Sequence, residues 1–184
     1  AEGISAAIDE LEANDELRVA ILTGADGTFC SGMDLKAFVT GELPMVEGRG
    51  FAGLVEYLVK KPMIAAVEGY ALAGGFEVAI SCDLIVAADN CKFGIPEVKR
   101  GLAAAGGGLI KLPRQIPSRI AMELALTGDP ISAERAYDLG LVNRVTDGPA
   151  IEAARELAAA IAEDGPLALI ASKGIIRDSW LWPD

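Results

Sequence analysis

Glu77 is the residue around which chemistry could be built. It lies in Gly69–Asp83, Gly-Tyr-Ala-Leu-Ala-Gly-Gly-Phe-Glu-Val-Ala-Ile-Ser-Cys-Asp, and its neighbours Phe76, Val78, Ala79 and Ile80 are apolar. A lone carboxylate is unusual in such company. Just before it, Gly69, Gly74 and Gly75 permit a tight turn and let a ligand approach bare backbone. A helix starting near Gly75 offers free backbone N–H groups and partial positive charge at its first turn. That combination could stabilise negative charge beside a group able to move a proton. A second acid, Glu97, follows Pro96, which fixes the backbone just ahead of it. The chain has no histidine. Ser-His-Asp and Cys-His catalysis and the common zinc sites are therefore excluded, and acid–base work falls to carboxylates, lysines, tyrosines or backbone.

These residues need elements to hold them. Pro62–Val67 and Leu84–Ala88 are short apolar runs that read as buried strands flanking the glycine-rich loop and its helix. Upstream, Ile4, Ala7, Ile8 and Leu11 follow helical spacing, so Ile4–Asn14 reads as an amphipathic helix. Arg18–Thr23 reads as a strand, and Gly24–Met33 as a glycine-rich loop. Asp34 is placed to cap a short helix through Leu35–Phe38. Val39–Arg49 reads as a loop or lid and Gly50–Val59 as helical. Asp89–Lys92 reads as a turn and Phe93–Glu97 as irregular. Gly101–Gly108 lacks the G-x-G-x-x-G spacing of a dinucleotide fingerprint and reads as a close-packed turn. Helices are expected over Leu109–Gln115, Ser118–Leu126 and Ser132–Leu139, the last with Ser132 as N-cap and Gly140 just past its end. A strand at Leu141–Val145 and helices over Pro149–Ala162 and Pro166–Asp178 complete the chain. Strands alternate with helices and are apolar throughout, which predicts a parallel, helix-covered sheet.

Composition narrows the function further. The 184 residues are 52% apolar and 23% charged, enough for one folded domain with a sizeable core. A net charge of −11 without a long basic run argues against nucleic acid or an anionic membrane as the main partner. No apolar run approaches a membrane span, and no signal peptide is visible, so a cytoplasmic protein is expected. Cys30, Cys82 and Cys91 form no CxxC pair and read as reduced thiols.

Four stretches together resemble the crotonase (enoyl-CoA hydratase/isomerase) superfamily. They are Phe29-Cys30-Ser31-Gly32-Met33-Asp34-Leu35, Glu68 through Glu77, Phe93-Gly94-Ile95-Pro96-Glu97 and Leu126 through Ala133. The resemblance spans nearly the whole chain, and it is most like a bacterial enoyl-CoA hydratase. It implies an α/β fold, a spiral of ββα units with C-terminal helices. The core would be 1–145, and 146–184 would open a trimerising helical region. Family members start earlier and continue further, so this sequence reads as the core of a longer protein, with Trp180–Pro183 an abrupt end.

The resemblance also implies roles. The backbone N–H groups of Met33 and Gly74 would form an oxyanion hole for an acyl-CoA thioester. Glu77 would activate water and Glu97 would deliver a proton to the α-carbon. Cys30, Gly32, Asp34, Leu35, Lys36 and Gly75 would line the CoA side. No metal or separate cofactor is expected, since coenzyme A is part of the substrate. A homotrimer or a dimer of trimers is implied. The expected reaction is syn addition of water to a trans-2-enoyl-CoA. The rivals are another chemistry of the same family (isomerase, hydrolase or dehydratase) and a non-catalytic acyl-CoA-binding subunit.

Overall fold

The computed structural model describes residues 1–179, apart from the side chains of Leu35 and Phe38; Trp180–Pro183 lie outside the described residues. In chain order the elements are α1 (Glu2–Ala13), β1 (Ala20–Thr23), α2 (Leu35–Val39), β2 (Met45–Val46) and β3 (Gly50–Phe51). Then come β4 (Met63–Val67), β5 (Tyr70–Leu72), α3 (Gly74–Ala79), β6 (Leu84–Ala88), β7 (Lys92–Gly94) and a 3₁₀ helix (Pro96–Arg100). The rest is α4 (Gly108–Gln115), α5 (Ser118–Thr127), β8 (Ile131–Ser132), α6 (Ala133–Asp138), β9 (Arg144–Thr146), α7 (Ala150–Ala162) and α8 (Pro166–Asp178).

β4 is central because both of its faces are covered. Met63, Ala65 and Val67 join the main core, while Ile64 and Ala66 join a second cluster on the other face. Side chains alternate across a strand, so a run that is apolar at every position has to be buried on both sides. The second cluster is completed by Ala150, Ala154 and Ala158 of α7, whose four-residue spacing puts small side chains on one stripe. The Glu68 carboxylate accepts the Ala150 N–H at 2.6 Å, and Arg18 donates to the carbonyls of Ala162 and Asp164 at 3.2 and 3.1 Å. Both ends of α7 are thus tied to the sheet it covers.

The first sheet, in the order β1-β4-β6-β9, is parallel throughout. This is the helix-covered parallel sheet expected from the apolar runs. A second sheet, β5-β7-β8, was not legible in the sequence. Its strands come from segments that read as loop, turn or irregular. β4 and β5 are consecutive yet sit in different sheets, and so are β6 and β7. Each pair is followed by helix, so a ββα unit repeats as the family resemblance implies. An earlier unit is partial: Cys30 forms a parallel bridge with Ala71 before the chain enters α2.

The helix expected over Gly50–Val59 is absent. Gly50, Ala52 and Gly53 have φ of +71°, +56° and +72°, which no right-handed helix admits. The segment instead supplies β3, which pairs antiparallel with β2, followed by turns. β9 begins only at Arg144, because the N–H groups of Leu141 and Val142 donate back to Ala136 O of α6 at 2.9 and 3.2 Å and not into the sheet. Other expectations hold. Asp34 Oδ1 accepts the N–H groups of Lys36 and Ala37 at 2.8 and 3.3 Å, and Ser132 accepts that of Arg135 at 3.1 Å. The cysteines are free; Cys82 and Cys91 are buried and Cys30 is half-buried.

Candidate active site

Glu77 occupies the first turn of α3, and every residue of that helix is buried. Phe76 beside it packs against Phe93 of β7, with ring centroids 6.0 Å apart at 59°. That contact fixes the rotation of α3 and leaves Glu77 3% exposed inside the fold. Such a carboxylate needs donors. The Gly108 N–H, the first amide of α4, reaches Glu77 Oε1 at 2.8 Å. A Cβ on Gly106 would stand 2.5 Å from Glu77 Oε2, and one on Gly108 would stand 2.9 Å from its Cγ. These glycines are required so that bare backbone can wrap the carboxylate. Burial pushes the Glu77 carboxyl above the usual carboxylate range, against the pull of the Gly108 and Gly106 amides and the Lys111 ammonium.

Glu97 sits in the first turn of the 3₁₀ helix, after Pro96. Its Oε2 is buried and has no hydrogen-bond partner among the described residues. Burial raises its proton affinity, its own backbone N–H opposes the rise, and the Glu77 charge adds to it. The two acids therefore feel each other, although they come from different ββα units. A cavity of about 450 Å³ opens at Glu97. Ile95 and Val98 line it around the 3₁₀ helix, with Leu109 and Leu112 of α4 and Ala121, Met122 and Ala125 of α5. Apart from Glu97 and Ser118, the lining is apolar.

The segment that leads to Met33 runs to the start of α3, where Gly74 lies. Residues 29–30 run beside β5: the N–H groups of Phe29 and Cys30 donate to Glu68 O and Tyr70 O at 2.8 and 2.9 Å, and Leu72 N–H returns to Cys30 O at 3.0 Å. The Gly32 and Ala73 ends of the two segments emerge together. A Cβ on Gly32 would stand 2.9 Å from the Ala73 Cβ and 3.4 Å from the Gly74 nitrogen. Gly32 has φ +104°, so glycine is needed on both counts. Ala73 is held at φ 52° and ψ −130°, a sparsely populated region, while its N–H donates to Gly94 O at 3.0 Å and its C=O accepts from Phe76 and Glu77. The N–H groups of Met33 and Gly74 have no protein partner among the described residues.

The remaining predicted residues fall around this point. Cys30 Sγ accepts the Gly32 N–H at 3.4 Å. Gly75 packs on Cys30, since a Cβ there would stand 2.1 Å from the Cys30 carbonyl oxygen. Asp34 and Lys36 are exposed at the start of α2, and Leu35 opens that helix. Lys99, a cation elsewhere in the fold on the 3₁₀ helix, is paired with Asp129 at 2.5 Å. Sequence reasoning missed the roles of Gly106 and Gly108 as the cradle of Glu77. It also missed Phe51, whose ring edge would lie 2.5 Å from a Cβ on Gly74. The signal available for the cradle was the Gly-Gly-Gly run opening a helix, whose free amides suit a buried anion.

Comparisons with known proteins identify the family and its fold. The profile of the enoyl-CoA hydratase/isomerase family matches residues 1–179. A carnitinyl-CoA dehydratase from Proteus mirabilis is 45% identical over 166 residues, covering 88% of this chain and 64% of that protein. A similar enzyme from Salmonella typhi is 47% identical over 167 residues, with the same shares. The chain thus spans a little under two thirds of these curated relatives. The crystal structure of an enoyl-CoA hydratase from Mycobacterium tuberculosis superposes with a TM-score of 0.96 at 59% identity, covering 98% of this chain and 72% of that one. A carnitinyl-CoA dehydratase from Mycobacterium avium gives 0.91 at 46%, covering 95% and 70%. With its ββα repeat, its two sheets and a match along nearly its whole length, the chain belongs to the enoyl-CoA hydratase/isomerase family of the crotonase superfamily.

Proposed function

We propose that the chain is the catalytic core of an enoyl-CoA hydratase, adding water across a trans-2-enoyl thioester to give a 3-hydroxyacyl-CoA. The observation that carries this reading is a pair of acids whose proton affinity burial raises, Glu77 inside the fold and Glu97 on the lining of an apolar cavity, with the Glu77 charge felt at Glu97. Addition of water to the β-carbon pushes charge onto the thioester oxygen. The unpartnered amides of Met33 and Gly74 would receive that oxygen, a kind of stabilisation worth about 2.7–4 kcal/mol per donor. Glu77, held by amides and near a lysine, is the better base. Glu97, with an unpartnered oxygen and a negative neighbour, is the better proton donor to the α-carbon. Cys30, Gly32, Asp34, Leu35, Lys36 and Gly75 would border the CoA side, with no metal taking part.

The carnitinyl-CoA dehydratases among the relatives favour a second reading, removal of water from a 3-hydroxyacyl thioester by the same groups run backwards. The aliphatic cavity suits a hydrocarbon chain better than a trimethylammonium group, which aromatic faces recognise best. Incubation with crotonyl-CoA, longer enoyl-CoAs and carnitinyl-CoA, read by mass spectrometry, separates the readings. Gain of one water by an enoyl-CoA is expected, with a loss of roughly 10²–10⁴-fold in Glu97→Gln. Wild-type turnover in Glu97→Gln removes that residue from the mechanism. A trimer or a dimer of trimers in the cytoplasm is the expected setting, and sedimentation tests the assembly.

A further inference from the structure

Lys111 stands one turn into α4 and points back under the site. Its Nζ donates to Val55 O at 2.5 Å and to Ser81 Oγ at 2.7 Å. Ser81 Oγ in turn donates to the carbonyl of Glu77 at 2.6 Å. One ammonium therefore joins three segments. The first is α4, whose opening amide holds the Glu77 carboxylate. The second is the end of α3, the helix that carries Glu77 and Gly74. The third is the turn after β3, which holds Phe51 against Gly74. A half-buried lysine bound only to neutral oxygens is costly unless its charge is used.

We propose that Lys111 is a positioning residue for the proposed reaction: its ammonium ties these three segments together and supplies the positive charge that keeps the Glu77 carboxylate ionised and in place. The inference rests on the reading of Glu77 as the base. The charged and titratable groups around it are few. Glu97 faces Glu77 from the 3₁₀ helix, Glu56 faces Lys111 from the turn after β3, and Cys82 faces it from beyond α3. Burial holds Lys111 below the usual lysine range, and the charges of Glu77 and Glu56 oppose that. Among the described residues, its pull on Glu77 is the only one from a positively charged side chain.

The test is a carbon-13 NMR titration of the Glu77 side-chain carboxyl in glutamate-labelled protein, run beside kinetics on an enoyl-CoA. Lys111→Met should move the Glu77 midpoint to higher pH, because the charged carboxylate loses its favourable neighbour. The acid limb of kcat/KM should move the same way, and kcat should fall roughly 10- to 100-fold. Lys111→Arg should return the midpoint towards the wild-type position. An unmoved midpoint in folded Lys111→Met overturns the proposal. Should that variant not fold, Ser81→Ala leaves the charge but cuts the link to the Glu77 carbonyl; a severalfold loss of kcat is expected, and unchanged kcat overturns the tie. A moved midpoint in a protein that hydrates no enoyl-CoA would refute the functional reading, and with it the positioning role in that reaction, while leaving the electrostatic tie between Lys111 and Glu77 standing.

Discussion

At the scale of single residues, the site is a contest between desolvation and donors. Glu77 has amides and an ammonium to offset its burial; Glu97 has a buried oxygen with no partner among the described residues. A carboxyl whose proton affinity rises on folding holds its proton to higher pH in the native state than in the unfolded chain. Native Glu97 therefore binds more protons in the window between those two values, and stability falls as pH rises through it. Above the window the penalty is fully present. Glu97→Gln removes it, so the variant should lose turnover yet melt higher than wild type at pH 7. The gap should close as the pH drops below the ordinary carboxylate range. Thermal melts at several pH values check this, and an equal or lower Tm for the variant at pH 7 contradicts it. Glu77 was legible in the sequence because a charge among Phe76, Val78 and Ile80 has few innocent explanations. Its partners were not, because backbone amides carry no side-chain signature.

At the scale of elements, the cradle between α3 and α4 is the feature on which geometry depends most. Gly106 and Gly108 let the loop before α4 close on the carboxylate. Gly106→Ala should leave the fold intact, since the nearest atoms to the new methyl are the far end of the Glu77 side chain. It should displace the carboxylate and lower kcat about 100-fold, as a shift near 1 Å can do. Circular dichroism and steady-state kinetics on the same sample distinguish this from unfolding. Other elements were read in part. Ser132 capping α6 is local chemistry, visible in the residue itself. The turns after β3 were misread as helix, because the positive φ of Ala52 is imposed by its surroundings and leaves no trace in an alanine. β5 and β7 were missed for another reason. They are three residues each and contain glycine, alanine or lysine where a strand signal would want β-branched residues.

At the scale of the molecule, the sheet with long apolar strands was legible and the sheet with short ones was not. The sequence pattern is dominated by burial on both faces, and only the β1-β4-β6-β9 sheet has enough of it. The charge of the chain raises a separate question. A net −11 opposes an anionic ligand such as an acyl-CoA. Lys99 is engaged by Asp129, whereas Lys36 is exposed beside the candidate CoA side. If local cations secure the ligand, KM for an enoyl-CoA should rise as salt goes from about 0.05 M to about 0.5 M, because screening weakens them. Lys36→Ala should flatten that dependence. A KM that falls with salt would mean that the average repulsion governs binding and that Lys36 does not.

The arrangement of the thiols has a practical use. Burial pushes Cys82 to about 12 and Cys91 to about 11, and Cys91 also donates to Val67 O at 3.0 Å. Neither offers thiolate to an alkylating reagent while the protein is folded. Cys30, half-buried and two residues before Gly32, should take the first equivalent of maleimide, with all three cysteines reacting only after denaturation. Intact mass spectrometry counts the adducts. That thiol lies close to the Met33 and Gly74 amides on the proposed CoA side, so a bound acyl-CoA should slow its alkylation, and native protein would report occupancy by labelling rate alone, without turnover and without any engineered residue.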